Sequence, residues 1–419
     1  MLAVDQAATI VENLVQPLSA ANPSHTDVVA LIHAYDRILA APIVSPVDFP
    51  HWDNSAMDGY AVQFADVHGC TTEQPVTLTV VEEIPAGQSP RYVLQSGQAA
   101  RILTGAMMPV GADTVVMQEQ TRRNGATVTI LAAPPAPGTF VRRRGDFCRA
   151  GDRLLPAGVI LRAPDLAMLA AAQCSQVTVY RKPRVAILST GSELAPLGQS
   201  LQPGQIVDSN QVALAALVTQ SGGIPINLGI VPDSPDALKE AIARALTQAD
   251  LIVSSGGVSV GDYDYVEQIL LELGATLHVQ AVAIKPGKPL TVASFASVDE
   301  TVAPSRLIYF GLPGNPVSAL VTFWRFVQPA LRKLSGLAQG WQPQFVAATT
   351  LEPLRSDGKR ETYLWGRTDI ADGGYQFHLA GGSHNSGNLI NLAQVSALAI
   401  LPIGQREVAA GDRVRIMLV

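Results

Sequence analysis

Apolar residues recur at helical spacing over residues 6–18 (QAATIVENLVQPL), which predicts a helix ending near Pro17. Residues 164–174 (PDLAMLAAAQC) predict a second, with Pro164 and Asp165 at its start. Between them the texture changes. Residues 70–132 hold short alternating runs (VTLTVV, AARIL, TVVMQE, ATVTIL) separated by Gly, Pro and Asn, the pattern of a small β domain, and AAPPAPG at 132–138 reads as loop. From residue 183 the pattern is regular. PRVAILSTG, INLGIV, DLIVSSGG, LHVQAVAI, LTVASF and RLIYFG read as strands. DSNQVALAALVTQSGG, SPDALKEAIARALTQ, YVEQILLELG and PVSALVTFWRFVQPALRKL read as helices, the first capped by Asp208 or Ser209. Strands alternating with helices predict a mostly parallel sheet covered on both faces. Beyond about residue 340 helical spacing is lost, and QFVAATT, TYLWGR, YQFHLA, ALAILPI and DRVRIMLV predict a second β module.

One stretch resists simple reading. Residues 307–324, LIYFGLPGNPVSALVTFW, carry no charge and reach the lower length limit of a membrane span. Gly311, Pro313, Gly314 and Pro316 break any helix through the middle, so the run reads as buried strand, loop and buried helix, with Pro316 in the first helical turn. At 419 residues the chain predicts about three or four domains of roughly 100–150 residues. A 47% hydrophobic, 15% charged composition with 35 Gly and 29 Pro fits a globular protein rich in turns. The net charge of -6 offers no global field for nucleic acid or anionic membrane, so any anion site must be made locally. Three scattered cysteines and an N-terminus without signal-peptide character predict a cytoplasmic protein without disulfides.

In an open parallel sheet, ligands bind beyond the carboxyl ends of the strands. The tips there are STGSE (189–193), SSGGVSVGD (254–262) and GLPGNP (311–316). Each combines Gly with Ser or Asn, which makes turns and also lets backbone N–H groups approach an anion. KPGKP (285–289) puts Lys285 and Lys288 on a stiff turn, either as solvated charges or as anion contacts. Glu193, Asp233, Asp262 and Asp264 lie on neighbouring loops, and acids beside an anion call for a bridging cation, Mg²⁺ being the natural choice; helix capping is the alternative for Asp233 and Asp262. Asp58 stands in a Met-Asp-Gly turn, and RRRG at 142–145 either clamps phosphate or decorates a solvated edge. The His residues form no HxxxH pair, and no Gly-x-Ser-x-Gly elbow accompanies a triad.

Taken in order, DNSAMDGYAV, RILTGAMMPVGADTVVMQE, RRRGD, STGSEL, IVDSNQ, SSGGVSVGDYDYV, IKPGKP and GLPGNPVSAL resemble the MoeA family of molybdopterin molybdenumtransferases, relatives of the gephyrin E domain and of plant molybdenum insertases. The resemblance implies a multidomain α/β-plus-β chain. Residues 1–45 and 148–178 would form an extended helical N-terminal domain, 46–147 an inserted β domain, 179–335 the α/β molybdopterin-binding domain and 336–419 a C-terminal β module. It further implies a homodimer with a cleft shared between subunits, and a Mg²⁺-dependent reaction in which adenylylated molybdopterin and molybdate give molybdenum cofactor and AMP. Implied partners are a molybdopterin adenylyltransferase and molybdoenzyme maturation factors, with no nucleic acid and no membrane. Alternatives are an adenylyltransferase-type enzyme on the same domain, or a non-catalytic molybdopterin-binding scaffold.

Carried over by motif, Glu193, Asp233 and Asp264 would serve catalysis and hold Mg²⁺, with Asp58 and Thr104 arriving from the partner subunit. Ser192, Asp208, Asn210, Gly256, Gly257, Ser259, Pro313, Asn315 and Pro316 would contact the pterin substrate. Lys285, Lys288, Ser318, Arg360 and Ser386 would hold molybdate. The chain departs from the family at Gly145-Asp146-Phe147, where Gly-Glu-Asp is common, and at His51-Trp52, where Pro-Phe is usual.

Overall fold

The computed structural model describes residues 1–257, 265–296, 307–371 and 373–419. Helix α1 (Val4–Leu14) buries Val4, Ala7, Val11 and Leu14, the i, i+3, i+7, i+10 stripe that the sequence pattern predicts, and starts two residues before the predicted helix. That face packs into the core of the α/β unit rather than against the 148–178 segment that follows the inserted domain.

The α/β unit alternates β1 (Arg184–Thr190), α2 (Ser209–Gln220), β2 (Ile224–Val231), α3 (Pro235–Gln248), β3 (Leu251–Ser255), α4 (Val266–Glu272), β4 (Thr276–Ala281), β5 (Pro289–Phe295), β6 (Leu307–Leu312) and α5 (Pro316–Thr322). Its strands lie in the order β2-β1-β3-β6-β5-β4. Side chains of β1 alternate between the faces. Val185 and Ile187 join α1, α2 and α5 in one core, while Ala186 and Leu188 join α3 and α4 in the other. The β2-β1-β3-β6 ladders are parallel, but β5 runs antiparallel to both β6 and β4. Only residues 282–288 separate β4 from β5, too few for the dozen-residue crossover that a parallel pair needs.

The helix after GLPGNP is not uniform. Helix α5 runs into a π-helical turn at Phe323–Val327 before α6 (Gln328–Leu334). Pro329 has no N–H to give the Arg325 carbonyl four residues back, so the ladder widens in the turn before it.

The C-terminal module contains β7 (Phe345–Thr350), β8 (Glu361–Ala371), β9 (Gly374–Leu379), β10 (Ala397–Leu401) and β11 (Arg413–Leu418) in the order β8-β9-β7-β11-β10. Strand β10 pairs back with β8, which closes the sheet into a barrel and removes its edges. Residues 59–130 form a separate six-stranded sheet with cores on both faces. Thr26–Ala30 pairs with Gln176–Tyr180, and Ile43–Val44 with Arg153–Leu155, so the chain segments flanking that sheet are joined by strands. The predicted helix at 164–174 runs from Ala163 to Ala171, its start fixed by the Asp165 carboxylate accepting the Arg162 N–H at 2.8 Å. No described helix is long and apolar enough to cross a membrane.

Arg181 fastens the N-terminal segment to the α/β unit. Its guanidinium donates to both Asp250 oxygens at 2.6 and 2.7 Å and to the Ser24 carbonyl at 2.9 Å. Burial pushes the Asp250 carboxyl up, but the Arg181 hydrogen bonds and the Arg184 N–H outweigh it and hold the group below its ordinary value. A depressed folded value contributes stability above the unfolded value near 3.8, which is lost as pH falls through the folded one. Asp250→Asn is therefore expected to cost about 1.5–3 kcal/mol at neutral pH. In denaturant titrations the gap from the unmodified chain should close below about pH 4; a gap that persists there would remove this assignment.

Candidate active site

Strands β1, β3 and β6 are parallel neighbours, so their carboxyl ends open at one edge of the sheet. The three predicted tips meet there around a cleft of about 520 Å³. Gly256, Gly257, Pro313, Asn315, Pro316, Asp208, Asn210, Glu193, Asp233 and Ser318 all line it. The structure thus brings these ten residues to one cleft. Ser192 sits in the first tip, exposed, but outside the lining, while Ser259, Asp262 and Asp264 lie outside the described residues.

The tips hold one another in place. Asn210, in the first turn of α2, donates through Nδ2 to Ser255 Oγ at 2.6 Å and to the Gly314 carbonyl at 2.8 Å, linking α2, β3 and the third tip. Gly256 has φ +92°, and a Cβ there would stand 2.3 Å from the Thr190 carbonyl oxygen. Only glycine lets the first two tips approach this closely. Asp208 caps α2 by accepting the Gln211 N–H at 3.1 Å through Oδ1.

Within this wall several polar atoms are buried without a hydrogen-bond partner: Thr190 Oγ1, Asp208 Oδ2 and Asn210 Oδ1. Native structures pair nearly all such groups, so their convergence on one cleft points to a polar ligand. Thr190, Ser255 and Gly314 are wall residues that the motifs did not single out. Thr190 reads in the sequence as the end of a strand, and its only signal is its place inside the quoted STGSE tip.

A second set lies where the α/β unit meets the barrel. Ile284 and Lys285 add to β8 as a short parallel strand, opposite Glu361 and Thr362. Lys285 Nζ donates to Asp357 at 2.9 Å. That bond and the Lys359 N–H hold the Asp357 carboxyl down at about 2, so it stays ionised throughout the neutral range. Asp357 was not singled out from the sequence, although it stands three residues before Arg360 in SDGKRETY. Arg360 donates to the Ile284 carbonyl at 3.1 Å. Lys288 is exposed and precedes Pro289, which lines the cleft. Ser318 is only 4% exposed in the cleft wall, and the Val317 N–H beside it donates to the Ser386 carbonyl at 3.1 Å. Lys285, Lys288, Arg360 and Ser386 do not line the cleft; Ser386 meets its wall through the Val317 N–H, and Lys288 precedes the lining residue Pro289.

Asp58 and Thr104 form a third set on the inserted sheet. One Asp58 oxygen accepts both the hydroxyl and the backbone N–H of Thr104 at 2.7 Å, which holds the carboxyl below its usual value. Neither residue lines the cleft of its own chain. The arginines of RRRG are turned to local acids: Arg143 to Asp53 at 2.8 Å and Arg144 to Asp48 at 2.6 Å. Asp146 accepts the Arg143 N–H, and Phe147 is 63% exposed with its ring 5.8 Å from that of Phe49.

Among the described residues no three His, Cys, Asp or Glu side chains gather closely enough to hold a metal alone. Glu193 and Asp233 nevertheless offer two carboxylates in the cleft lining, beside hydroxyl and amide oxygens. That set fits Mg²⁺, which commonly takes one or two carboxylates and completes its shell with water and substrate phosphates.

Residues 2–172 match the family description "MoeA N-terminal region (domain I and II)", residues 186–333 "Probable molybdopterin binding domain", and residues 347–419 "MoeA C-terminal region (domain IV)". A protein of Nostoc sp. named molybdopterin molybdenumtransferase is 58% identical over 417 residues, covering 100% of this chain and 94% of its own. One of the same name from Haemophilus influenzae is 38% identical, covering 86% of this chain and 84% of its own. A crystal structure of a molybdopterin biosynthesis protein MoeA from Pyrococcus horikoshii superimposes with a TM-score of 0.82 at 29% identity, over 100% of both chains.

Proposed function

The chain belongs to the MoeA family, and from that premise we propose that it is a transferase of molybdenum cofactor biosynthesis, inserting molybdenum from molybdate into adenylylated molybdopterin with release of AMP. The observation that carries this reading is the convergence of buried, unpartnered Thr190, Asp208 and Asn210 oxygens on the cleft beyond β1, β3 and β6. Such a wall is shaped for a polar substrate of many donors, and a pterin with a phosphate-linked adenylate is one.

In the proposed reaction both dithiolene sulfurs bond to molybdenum as one molybdate oxygen takes the two thiol protons and leaves as water, and a second water cleaves the pyrophosphate link to free AMP. Lys285, Lys288 and Arg360 supply positive charge for the tetrahedral dianion, with Ser318 as a hydroxyl donor and Ser386 beside it. Glu193 and Asp233, with Asp264 beyond the described residues, would hold Mg²⁺, whose role is to offset charge between the carboxylates and the substrate phosphates. The start of α2 also faces this edge, although its Gln211 N–H is already taken by the Asp208 carboxylate.

Asp58 and Thr104 are proposed to complete the cleft of a partner subunit. The expected result is complementation: Asp58→Ala and Lys285→Ala chains, each inactive alone, recover about a quarter of normal turnover when unfolded and refolded together, since half the dimers are mixed and each keeps one intact cleft. Mixtures as inactive as their components would place Asp58 in its own chain's chemistry or outside it. The reaction itself is tested by anaerobic incubation with adenylylated molybdopterin, molybdate and Mg²⁺. AMP release that depends on molybdate and activates a cofactor-free molybdoenzyme supports the reading; binding without turnover leaves a scaffold.

A further inference from the structure

Strand β8 begins one residue after Arg360, and its alternate residues face different neighbours. Leu364 belongs to the barrel's own core, whereas Tyr363 and Trp365 enter the α/β core beside Val4 and Phe326. Tyr363 is fully buried there and meets Arg325, which is itself 6% exposed and projects from the π-helical turn after α5. Arg325 Nε donates to Tyr363 Oη at 3.3 Å, and Nη2 donates to Asp5 of α1 at 2.9 Å. The Tyr363 hydroxyl donates in turn to Glu361 at 2.6 Å.

This chain of bonds ends where the candidate oxyanion residues begin. Glu361 stands opposite Ile284 in the ladder, Thr362 stands opposite Lys285, and Arg360 donates to the Ile284 carbonyl. At its other end the helical stretch that carries Arg325 starts at Pro316 and Ser318 in the cleft wall. A buried guanidinium cannot slide without losing its partners, so it fixes the barrel strand relative to the helix.

We propose that Arg325, Tyr363 and Glu361 are positioning residues that set Lys285 and Arg360 against Ser318, and so determine affinity for the tetrahedral oxyanion without touching it. The inference rests on the insertase reading above. It separates two substrates: Thr190, Asp208 and Asn210 lie on β1 and at the start of α2, outside this chain of bonds, and the Asn210 bond to the Gly314 carbonyl holds the tip of Pro313, Asn315 and Pro316 from that side.

The test is steady-state kinetics on the full-length chain with both substrates varied, together with calorimetric binding of inorganic molybdate. Tyr363→Phe keeps the ring and removes the link; it should raise the molybdate KM and Kd roughly 3- to 10-fold, the loss expected for one hydrogen bond. The KM for adenylylated molybdopterin should stay within about twofold. Glu361→Gln, which retains an acceptor, should behave as the unmodified chain, and Glu361→Leu should reproduce Tyr363→Phe. The inference is overturned if molybdate affinity is unchanged in Tyr363→Phe and Glu361→Leu, or if both substrates weaken together, which marks a merely structural role. If Tyr363→Phe does not fold, the two Glu361 variants decide alone. An unmodified chain that releases no AMP with molybdate would instead remove the underlying reading.

Discussion

Lys285→Ala should lower molybdate-dependent AMP release about 10²–10³-fold, the cost typical of removing one preorganised donor from an oxyanion site. The Lys285 ammonium has three donors and gives one to Asp357, leaving others for the ligand. Because the Asp357 carboxyl is held down at about 2, it keeps its charge beside Lys285 across any practical assay range. Loss of activity on mild acidification would therefore originate elsewhere. The variant should still bind adenylylated molybdopterin, whose proposed contacts lie at the three tips beyond β1, β3 and β6 and at the start of α2. Lys288→Ala should behave in the same direction, and measuring both substrates' KM separates lost oxyanion contact from general damage. Normal molybdate KM and turnover in both variants would end the assignment of KPGKP to the oxyanion.

Gly256→Ala is expected to be the most damaging single methyl group in the cleft. The position needs φ +92°, which costs an L-residue roughly 1–2 kcal/mol, and the new Cβ would also meet the Thr190 carbonyl oxygen at 2.3 Å. The first two tips must then separate, carrying Thr190 and Ser255 away from Asn210. Thermal unfolding should fall by several degrees, and the KM for adenylylated molybdopterin should rise at least about 10-fold. Gly274→Ala is the matched control: it has φ +85° with nothing within 4 Å of the added carbon, so it should cost stability and leave KM alone. Equal KM changes in the two variants would show that strain, not the meeting of the tips, governs binding.

The α/β unit was legible because its signals are local. Apolar runs ending in Gly and Ser gave β1, β3 and β6, and each tip reached the cleft as expected. The 307–324 run resolved as β6, the GLPGNP turn and buried α5. What sequence spacing could not give was whatever depends on distant partners. Strand β5 runs against β4 because of the short link between them. Helix α1 docks on an α/β core whose first strand begins some 180 residues later. Asp357 becomes important only once β8 and Lys285 are side by side. The motif resemblance supplied what periodicity could not, namely the expected reaction and an expected shared role for Asp58 and Thr104; what the structure adds is a hydrogen bond between the two. The departure at Gly145-Asp146-Phe147 has a physical account in part. Asp146 closes the turn by accepting the Arg143 N–H, while Phe147 packs on Phe49 and supplies no charge.

The most direct measurement is an anaerobic crystal structure of the protein with adenylylated molybdopterin and molybdate, with diffraction recorded at the molybdenum edge. The account predicts pterin and adenylate density in the cleft, within hydrogen-bonding reach of Thr190, Asp208 and Asn210, and an anomalous peak beside Lys285, Lys288 and Ser318. Substrate density away from this cleft, or molybdenum bound far from those lysines, would contradict it.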